Sequence, residues 1–448
     1  MHTAANGAAT ENVFFNGLET FANAGGTISL VDGDDTDRFT IAADVAGAAS
    51  YVGSGDATLF IDVGGDGAGL TADRLIVNGN VSGTTTVDLN LLLPQAAIVD
   101  PDGVLIVDAV TATGTPFVLG TPQHAGFIDY SLLQSGADTF LISSPNAGIF
   151  DIGTLSNFAQ DLWYQGMDTQ LECSASRRNR LGTAKPGFTI CAQIYWSRDR
   201  YGDSNNTDNL FGTDLTFSDR LRTTRKGAQA DIGFIAAPKF AAGVIFGYAH
   251  ARASHLASGA EFDADGHNYG VYAQYAGQTG LHAGAIVQIS KFSGHAGNAD
   301  RFAVEPKWTT SGIDGELGWR TPTFGPMLDV NAGVTVATTN IHDFTAGFID
   351  FDFSDRTSVR GRIGARLGWN MGILAPYVDA HLYHEFKDHD SIGITSGLLT
   401  DDIRPEGRGT WGRLEAGLDG GPGGGPLLSV WGDFGNVKGF GARAGFRF

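Results

Sequence analysis

The sequence predicts an all-β chain in three parts: a parallel β-helix-like N-terminal region, a linking α-helix and a twelve-stranded antiparallel transmembrane β-barrel. Three observations carry that prediction. The C-terminal half alternates apolar and polar residues segment after segment, the N-terminal third consists of short β-branched runs broken by Gly and Asp, and one stretch between them shows neither pattern. With 448 residues the chain is too long for one ordinary core, and its 64 glycines, about twice the usual share, favour turns and strands.

From about 13 to 145 the runs read "GGTISLVDG", "DRFTIAADV", "ATLFIDVGG", "DRLIVNGNVSGTTTVDLNL" and "GVLIVDAV". Short strands punctuated by turn signals fit a sandwich or a parallel β-helix, and the scarcity of aromatic residues favours short stacked rungs. Up to residue 150 the only basic side chains are Arg38 and Arg74, against 17 carboxylates, within a chain of net charge -20. Such a surface speaks against nucleic acid and discourages sheet edges from pairing.

Over "SNFAQDLWYQGMDTQLE" there is no proline and little β-branching; Phe158, Leu162 and Gln165 share a helical face, and Asn157 and Gln160 are spaced like a capping box. A helix is expected within 152–180. From about 187 onward period two takes over. In "LDVNAGVTV", Leu328, Val330, Ala332, Val334 and Val336 oppose Asp329, Asn331, Gly333 and Thr335, and "GFGARAGFRF" closes the chain in the same way. Twelve such segments centre near 194, 231, 248, 271, 287, 315, 334, 362, 380, 413, 430 and 444. An even number of strands about ten residues long suits a barrel in lipid, where closure leaves no edge unpaired. Long polar connections such as "KDHDSIGITSGLLTDDIRPEGR" and short ones such as "APKF" and "NVKG" are expected to lie at opposite ends. Tyr195, Trp196, Tyr248, Tyr269, Tyr275, Trp308, Trp319, Trp369, Tyr377 and Trp411 lie near strand ends, as interfacial girdles would.

The order of these parts resembles the classical monomeric autotransporters of Gram-negative bacteria, the type V secretion family, in which a β-helical passenger precedes a helix and a C-terminal translocator barrel. "ADRLIVNGNVSGTTTVDL", "GVLIVDA" and "PFVLGTPQHAGFIDYSLLQSGADTFLIS" look like the passenger's C-terminal stem, and the closing "GFRF" resembles the family's aromatic C-terminal signature. The resemblance implies a passenger remnant and autochaperone-like stem at 1–151, a linker helix in the barrel lumen at 152–180 and the barrel at 181–448. It implies an outer-membrane translocator that displays its passenger at the cell surface, a monomer without enzymatic activity or cofactor. Its partners would be outer-membrane lipid and lipopolysaccharide, periplasmic chaperones, the barrel-assembly machinery and host or matrix ligands. A displayed adhesin and a porin-like channel are the alternative readings.

Residue by residue, Phe440, Phe446 and Phe448 match the assembly signal, and Asn157, Phe158, Gln160, Leu162, Trp163, Gln165, Gln170 and Glu172 the luminal helix. By alternation Arg198, Arg360, Arg362 and Arg443 are expected to face the lumen, with Arg447 beside them. Cys173 and Cys191, the only cysteines, can form one disulfide after export or remain two thiols. The start, "MHTAANGAATEN", has neither a basic n-region nor an apolar h-region, so an exported chain of this kind is expected to have lost its signal segment. Family members that cut themselves do so at an Asn-Asn pair in the helix. The one pair here, Asn205 and Asn206, falls in a loop, so cleavage there is not expected.

Other chemistry is weakly represented. "HEFKDH" at 384–389 lacks the i, i+4 histidine spacing of a zinc helix, and "DGDDTD" at 32–37 lacks the full calcium loop and reads as a solvated turn. His381, His384, His389 and Asp390 are the residues that a barrel-rim hydrolase would use. No metal site is expected.

Overall fold

The alternating segments close on themselves in a computed structural model, which describes every residue except 1–10, 45–48, 179–180, 182–185, 203–204, 238, 300, 322–325, 373, 388–390, 406 and 422–423. The twelve barrel strands are β1 (Gly187–Tyr201), β2 (Leu221–Ala237), β3 (Phe240–His255), β4 (Glu261–Ala276), β5 (Leu281–Asn298), β6 (Lys307–Arg320), β7 (Pro326–Ile341), β8 (Arg356–Trp369), β9 (Leu374–Lys387), β10 (Thr410–Gly420), β11 (Gly425–Gly435) and β12 (Lys438–Arg447). Each pairs antiparallel with the next, and β12 returns to β1 with Phe446 opposite Ala192 and Arg443 opposite Tyr195. Closure removes the two edges that an open sheet would expose to hydrocarbon.

The strand periodicity sorts the faces as expected. Leu328, Val330, Val334 and Val336 are exposed outward, while Asp329 and Thr335 are buried inward. Connections at one end are long, 19 residues between β1 and β2 and 22 between β9 and β10, against two to five at the other. Two connections at the long-loop end are short, the five residues between β3 and β4 and the "NVKG" turn between β11 and β12, because antiparallel alternation fixes which end each connection occupies, whatever its length. The long connections are not irregular. They fold into hairpins, Asn206–Leu210 with Thr213–Phe217, Phe344–Ala346 with Ile349–Phe353, and Ile392–Ser396 with Leu399–Ile403; the last two join in one four-stranded sheet through Phe351 opposite Ile394.

The N-terminal region is a solenoid of parallel strands. Phe21 lies opposite Tyr51 and Tyr51 opposite Val81, a turn of 30 residues each time. Inside, like stacks on like: Ile28, Leu59 and Val87 form one buried column, and Phe39, Leu75 and Val107 another. The strand Asp100–Ala112, parallel to Arg74–Gly83, also pairs antiparallel with Asp138–Pro145, which forms a hairpin with Ile128–Ser135, and Phe117–Leu119 adds the last parallel pairing, with Thr85–Leu91.

The helix α1 runs Ile149–Arg178, and all its residues except Asp168 and Leu171 are buried. It begins well before Asn157, so the expected capping box is overturned. Asn146 caps instead, its carbonyl accepting the Ile149 N–H at 3.2 Å and its side-chain oxygen the Gly148 N–H at 3.1 Å. Asp151 in the first turn and Arg177 and Arg178 in the last complement the helix dipole.

In the solenoid, Asp73 is fully buried and its carboxylate accepts the Asp37 and Asp62 N–H groups at 3.0 and 2.8 Å. Burial pushes its carboxyl up to about 8, the Asp62 and Asp37 charges adding to the effect. A folded-state value above the unfolded one stabilises fully below about pH 4 and is lost as pH rises through the folded value. The solenoid is therefore expected to weaken between about pH 4 and pH 8, by at most about 1.4 kcal/mol per unit from this group. Denaturant unfolding at a series of pH values measures the slope. An equal slope in Asp73→Asn would remove Asp73 as its source.

Candidate functional site: the filled lumen

Many inward-facing strand residues are polar, so the lumen can hold only something that meets them with partners of its own. α1 does so on every side. Its N-terminal half lies at the long-loop end, where the Thr154 hydroxyl is 2.7 Å from His255 Nε2 and Phe158 packs on Phe262 and Trp308. Its last turn reaches the short-turn end, where Arg178 bonds Glu316 at 2.6 Å and Arg177 pairs with Asp231.

The wall of β8 supplies a ladder of guanidinium groups at even spacing. Arg356 donates to Asn157 Oδ1 at 2.7 Å and Gln160 Oε1 at 3.2 Å, Arg360 to Asp168 at 2.7 Å, and Arg366 to Glu172 at 3.1 Å. Arg413 on β10 reaches Asp168 from the other side at 3.2 Å, and Arg225 on β2 holds Asp161 at 3.1 Å together with Arg408. Arg362 and Arg443 face the lumen too, but their carboxylate partners are on the wall: Asp314 and Glu316 for the first, Glu415 for the second. Arg443 also donates to the Asp168 carbonyl at 3.1 Å. A polar cavity of about 40 Å³, room for a water or two, remains between Glu172, Arg362, Arg366 and Arg443.

Opposite this charged wall is a belt of amides. Gln229 and Asn268 face Gly166, where an added Cβ would stand 2.7 Å from Asn268 Nδ2 and 2.9 Å from Gln288 Nε2, so the glycine lets the helix approach the belt. Trp163 donates from its indole to the Gln288 carbonyl at 3.2 Å, Gln170 to Asp231 at 3.1 Å, and Ser197 to Gln165 at 3.3 Å. Leu162 is buried in the apolar cluster above them.

At the short-turn end Cys173 and Cys191 are joined in a disulfide between α1 and β1, with their Cα atoms 6.0 Å apart. Arg447, fully buried on the last strand, donates to the Ser176 carbonyl at the helix end and to the Gly420 and Gly421 carbonyls at 2.7 and 2.9 Å. Beyond it, Phe440, Phe446 and Phe448 are exposed on the outer face; the Phe448 ring lies 4.5 Å from that of Phe446, and its N–H bonds the Ile190 carbonyl at 2.9 Å.

Several expected placements change. Arg198 does not face the lumen: it shares parity with Ile194 and Trp196 and is exposed on the outer face. Of the aromatic residues expected in girdles, Trp196, Tyr248, Tyr269, Tyr275 and Trp319 do face outward, but Tyr195, Trp308, Tyr377 and Trp411 are buried on the inner face. Tyr377 there bonds Glu172 and Glu415, both at 2.9 Å. Proximity to a strand end says nothing about parity. Conversely, Arg356 and Arg366 went unnamed although they share Arg360's parity, the same signal that identified it.

Among the described residues the candidate chemical groups do not converge. His384 is exposed and bonded to Thr410 at 2.7 Å, His381 lies on the inner face, and His389 and Asp390 fall outside the described residues. At 32–37 the Asp32 and Asp34 carboxylates accept the Asp34 and Thr36 N–H groups, a pair of local turns. Among the described residues the cluster of metal-ligand size is Cys173, Cys191 and Asp231, whose sulfurs are bonded to each other.

A closed barrel with an apolar outer wall and a helix filling its lumen defines a bacterial outer-membrane barrel of the translocator class. The sequence model of the autotransporter beta-domain matches residues 195–435, more than half of the chain, and the protein belongs to that family. Solved structures similar to it include the translocator domain of the autotransporter NalP from Neisseria meningitidis, at 12% identity and TM-score 0.48, covering 63% of this chain and 95% of that one. Others are the beta domain of the Bordetella autotransporter BrkA (18%, TM-score 0.43, 58% and 98%) and the transport unit of AIDA-I from Escherichia coli (15%, TM-score 0.44, 61% and 96%). No curated protein sequence matches the chain. The protein is an outer-membrane translocator, with its solenoid displayed at the cell surface.

Asp168 is the luminal carboxylate that takes guanidinium groups from both β8 and β10. Replacing it by lysine places a third cation between Arg360 and Arg413, and breaking a buried pair costs about 3–5 kcal/mol. Asp168→Lys is expected to loosen the helix and raise single-channel conductance in planar bilayers, with Asp168→Asn intermediate. Equal conductance in all three would count against the contact.

Proposed function

We propose that α1 is the plug and tether of a completed transport event, left in the lumen with the solenoid held at the outer mouth. What supports this reading is that the helix meets polar partners on all sides and is fastened at both ends, by packing and the Thr154–His255 contact at the outer end and by the disulfide, Arg177, Arg178 and Arg447 at the inner. Residues 1–151 act as passenger remnant and autochaperone-like stem, 152–180 as the luminal linker and 181–448 as the barrel. The work is transport, with no catalytic step of its own. The exposed terminal aromatics Phe440, Phe446 and Phe448 serve as the address read by the barrel-assembly machinery, and the barrel functions as a monomer among outer-membrane lipid and lipopolysaccharide.

Deleting residues 154–178 is expected to turn a nearly silent barrel into an open pore in planar bilayers; conductance unchanged by the deletion would sink the plug. Deleting Phe448 is expected to lower outer-membrane levels of the barrel while leaving the solenoid's sequence untouched, and normal levels would refute the address. Protease applied to intact cells should release the solenoid and spare the barrel.

A further inference from the structure

The chain is acidic overall, with 29 lysines and arginines against 49 aspartates and glutamates, yet on one side of the barrel's outer wall cations gather without anions. Lys438 of β12, Arg200 of β1 and Arg222 of β2 are opposite one another on three adjacent strands, and all three are exposed on the outward face. Like charges directly opposite on paired strands, about 5 Å apart, repel. Toward the membrane the cations continue with Arg198, on the same face of β1, and with Lys226, which lies opposite Trp196. Among the described residues no carboxylate pairs with any of these five side chains. One strand further on, Arg252 shows the contrast, donating to Asp263 at 2.9 Å. The outward faces of β7, β8, β10 and β11 carry no lysine or arginine among the described residues. A repulsive row kept on one side of the wall calls for an anion from outside the chain.

The row stands at the long-loop end of β1. Below it the outward residues of that strand are apolar, Trp196, Ile194, Ala192, Ile190 and Phe188, a run that spans about 20 Å of membrane at the usual strand tilt. The cations therefore sit where lipid headgroups begin. Directly beneath them the wall is hollowed. Ala192, Ala228, Ala230 and Ala444 leave a shallow apolar trough of about 630 Å³, bounded by Phe246 and Phe446. A second trough, of about 530 Å³, lies on the other side of Ile194, against Leu418, Leu428 and Val430. Unpaired cations above two apolar troughs fit an amphiphile with an anionic head and several hydrocarbon tails.

We propose that the outer wall across β12, β1 and β2 is a binding site for the phosphorylated glycolipid of the outer leaflet, lipopolysaccharide. Its phosphates sit among Lys438, Arg200 and Arg222, with Arg198 and Lys226 beneath, and its acyl chains lie in the two troughs beside Ile194. The guanidinium fork suits Arg200 and Arg222 to a phosphate, which it can hold by two parallel N–H bonds. Five cations over three strands exceed what one phosphodiester neutralises, which favours a head with more than one phosphate over a phospholipid. The lipid so held bridges β12 and β1, the two strands whose pairing closes the barrel. This inference rests on the translocator reading, which puts the long-loop end at the cell surface.

The test titrates the full chain, extracted in detergent from outer membranes, with purified lipopolysaccharide. Affinity is read by native mass spectrometry and barrel closure by heat-modifiable gel mobility. The triple variant Arg200→Gln, Arg222→Gln, Lys438→Gln is expected to close, because all three side chains are exposed, and to bind at least about tenfold more weakly. Lys291→Gln with Lys307→Gln removes two outward cations of β5 and β6 at the same end and is expected to bind as the wild type does. Ala228→Trp, which fills the first trough, is expected to weaken binding with every cation in place. Equal affinity of the wild type and the triple variant, or an equal loss in the lysine control, overturns the site. Phosphatidylglycerol held as tightly as lipopolysaccharide overturns the glycolipid as occupant, and so does saturation by inorganic phosphate alone. Should the triple variant fail to close, the wild type decides: dephosphorylated lipopolysaccharide bound as tightly as the native form overturns the site, and markedly weaker binding supports it. A solenoid that protease cannot reach on intact cells would remove the translocator reading and the site with it, whereas lost lipid contrast beside an accessible solenoid counts against the site alone.

Discussion

Hydrocarbon offers no partner to a peptide N–H or C=O, and the rest of the structure follows from that constraint. A strand in lipid must be paired along both edges, so the alternating segments close from β12 back to β1. Closure by strands of period two places half of all side chains inward, out of reach of lipid, and those residues can then be polar. The lumen that results is wide and lined with charge. Left empty it would be a hole in the membrane, so its occupant is as much a consequence of the backbone as the wall is.

The occupant has to satisfy charges without becoming a source of strain. Buried ion pairs contribute little net stability against an apolar packing of equal volume, but removing one partner is costly, so their effect is to fix position. Asp161, Asp168 and Glu172 each meet guanidinium groups from two or more strands or loops, or a guanidinium and a tyrosine, and only one rotation and one depth of α1 bring all three into place. The choice of cation matters here. The luminal pairs among the described residues are made by arginine or histidine, whereas Lys226, Lys291, Lys307 and Lys438 are exposed on the outside. A planar fork can serve two carboxylates at once, as Arg362 does with Asp314 and Glu316; a compact, strongly hydrated ammonium is poorly suited to that in a dry lumen.

Wherever one face meets lipid and the other a polar lumen, the fold was legible in the sequence, because the contrast is written every second residue. "LDVNAGVTV" specifies its own strand and both its faces. The helix ends were not legible: α1 is buried all round, so no amphipathic stripe marks where it starts, and Asn157 and Gln160 resemble a cap while in fact serving Arg356. Arg198, a charge within an alternating strand, shares its parity with Trp196 and so faces outward. The loop hairpins were missed for the opposite reason. "IDFDF" and "IGITS" alternate as clearly as any barrel strand, but they lie inside connections whose polar residues dominate their composition. The disulfide could be judged only once the helix end and the first strand were placed side by side.

The two mouths of the barrel are closed by different physics, and the difference follows from what lies beyond each. At the outer mouth a folded solenoid is present, so closure is apolar and extensive: Phe127, Phe302, Phe351 and the hairpin isoleucines form one cluster with the solenoid core. At the inner mouth, among the described residues, what the helix end meets is the barrel wall itself. There closure is by point contacts, one disulfide, two helix arginines and Arg447 donating to the Ser176 carbonyl. Apolar burial is non-directional and tolerates the arrival of successive rungs in any approach, whereas ion pairs and a covalent bond fix a single depth. A chain that must be mobile during export and immobile afterwards is therefore best registered from its inner end, and the residues that register it lie within one helical turn or so of Arg178.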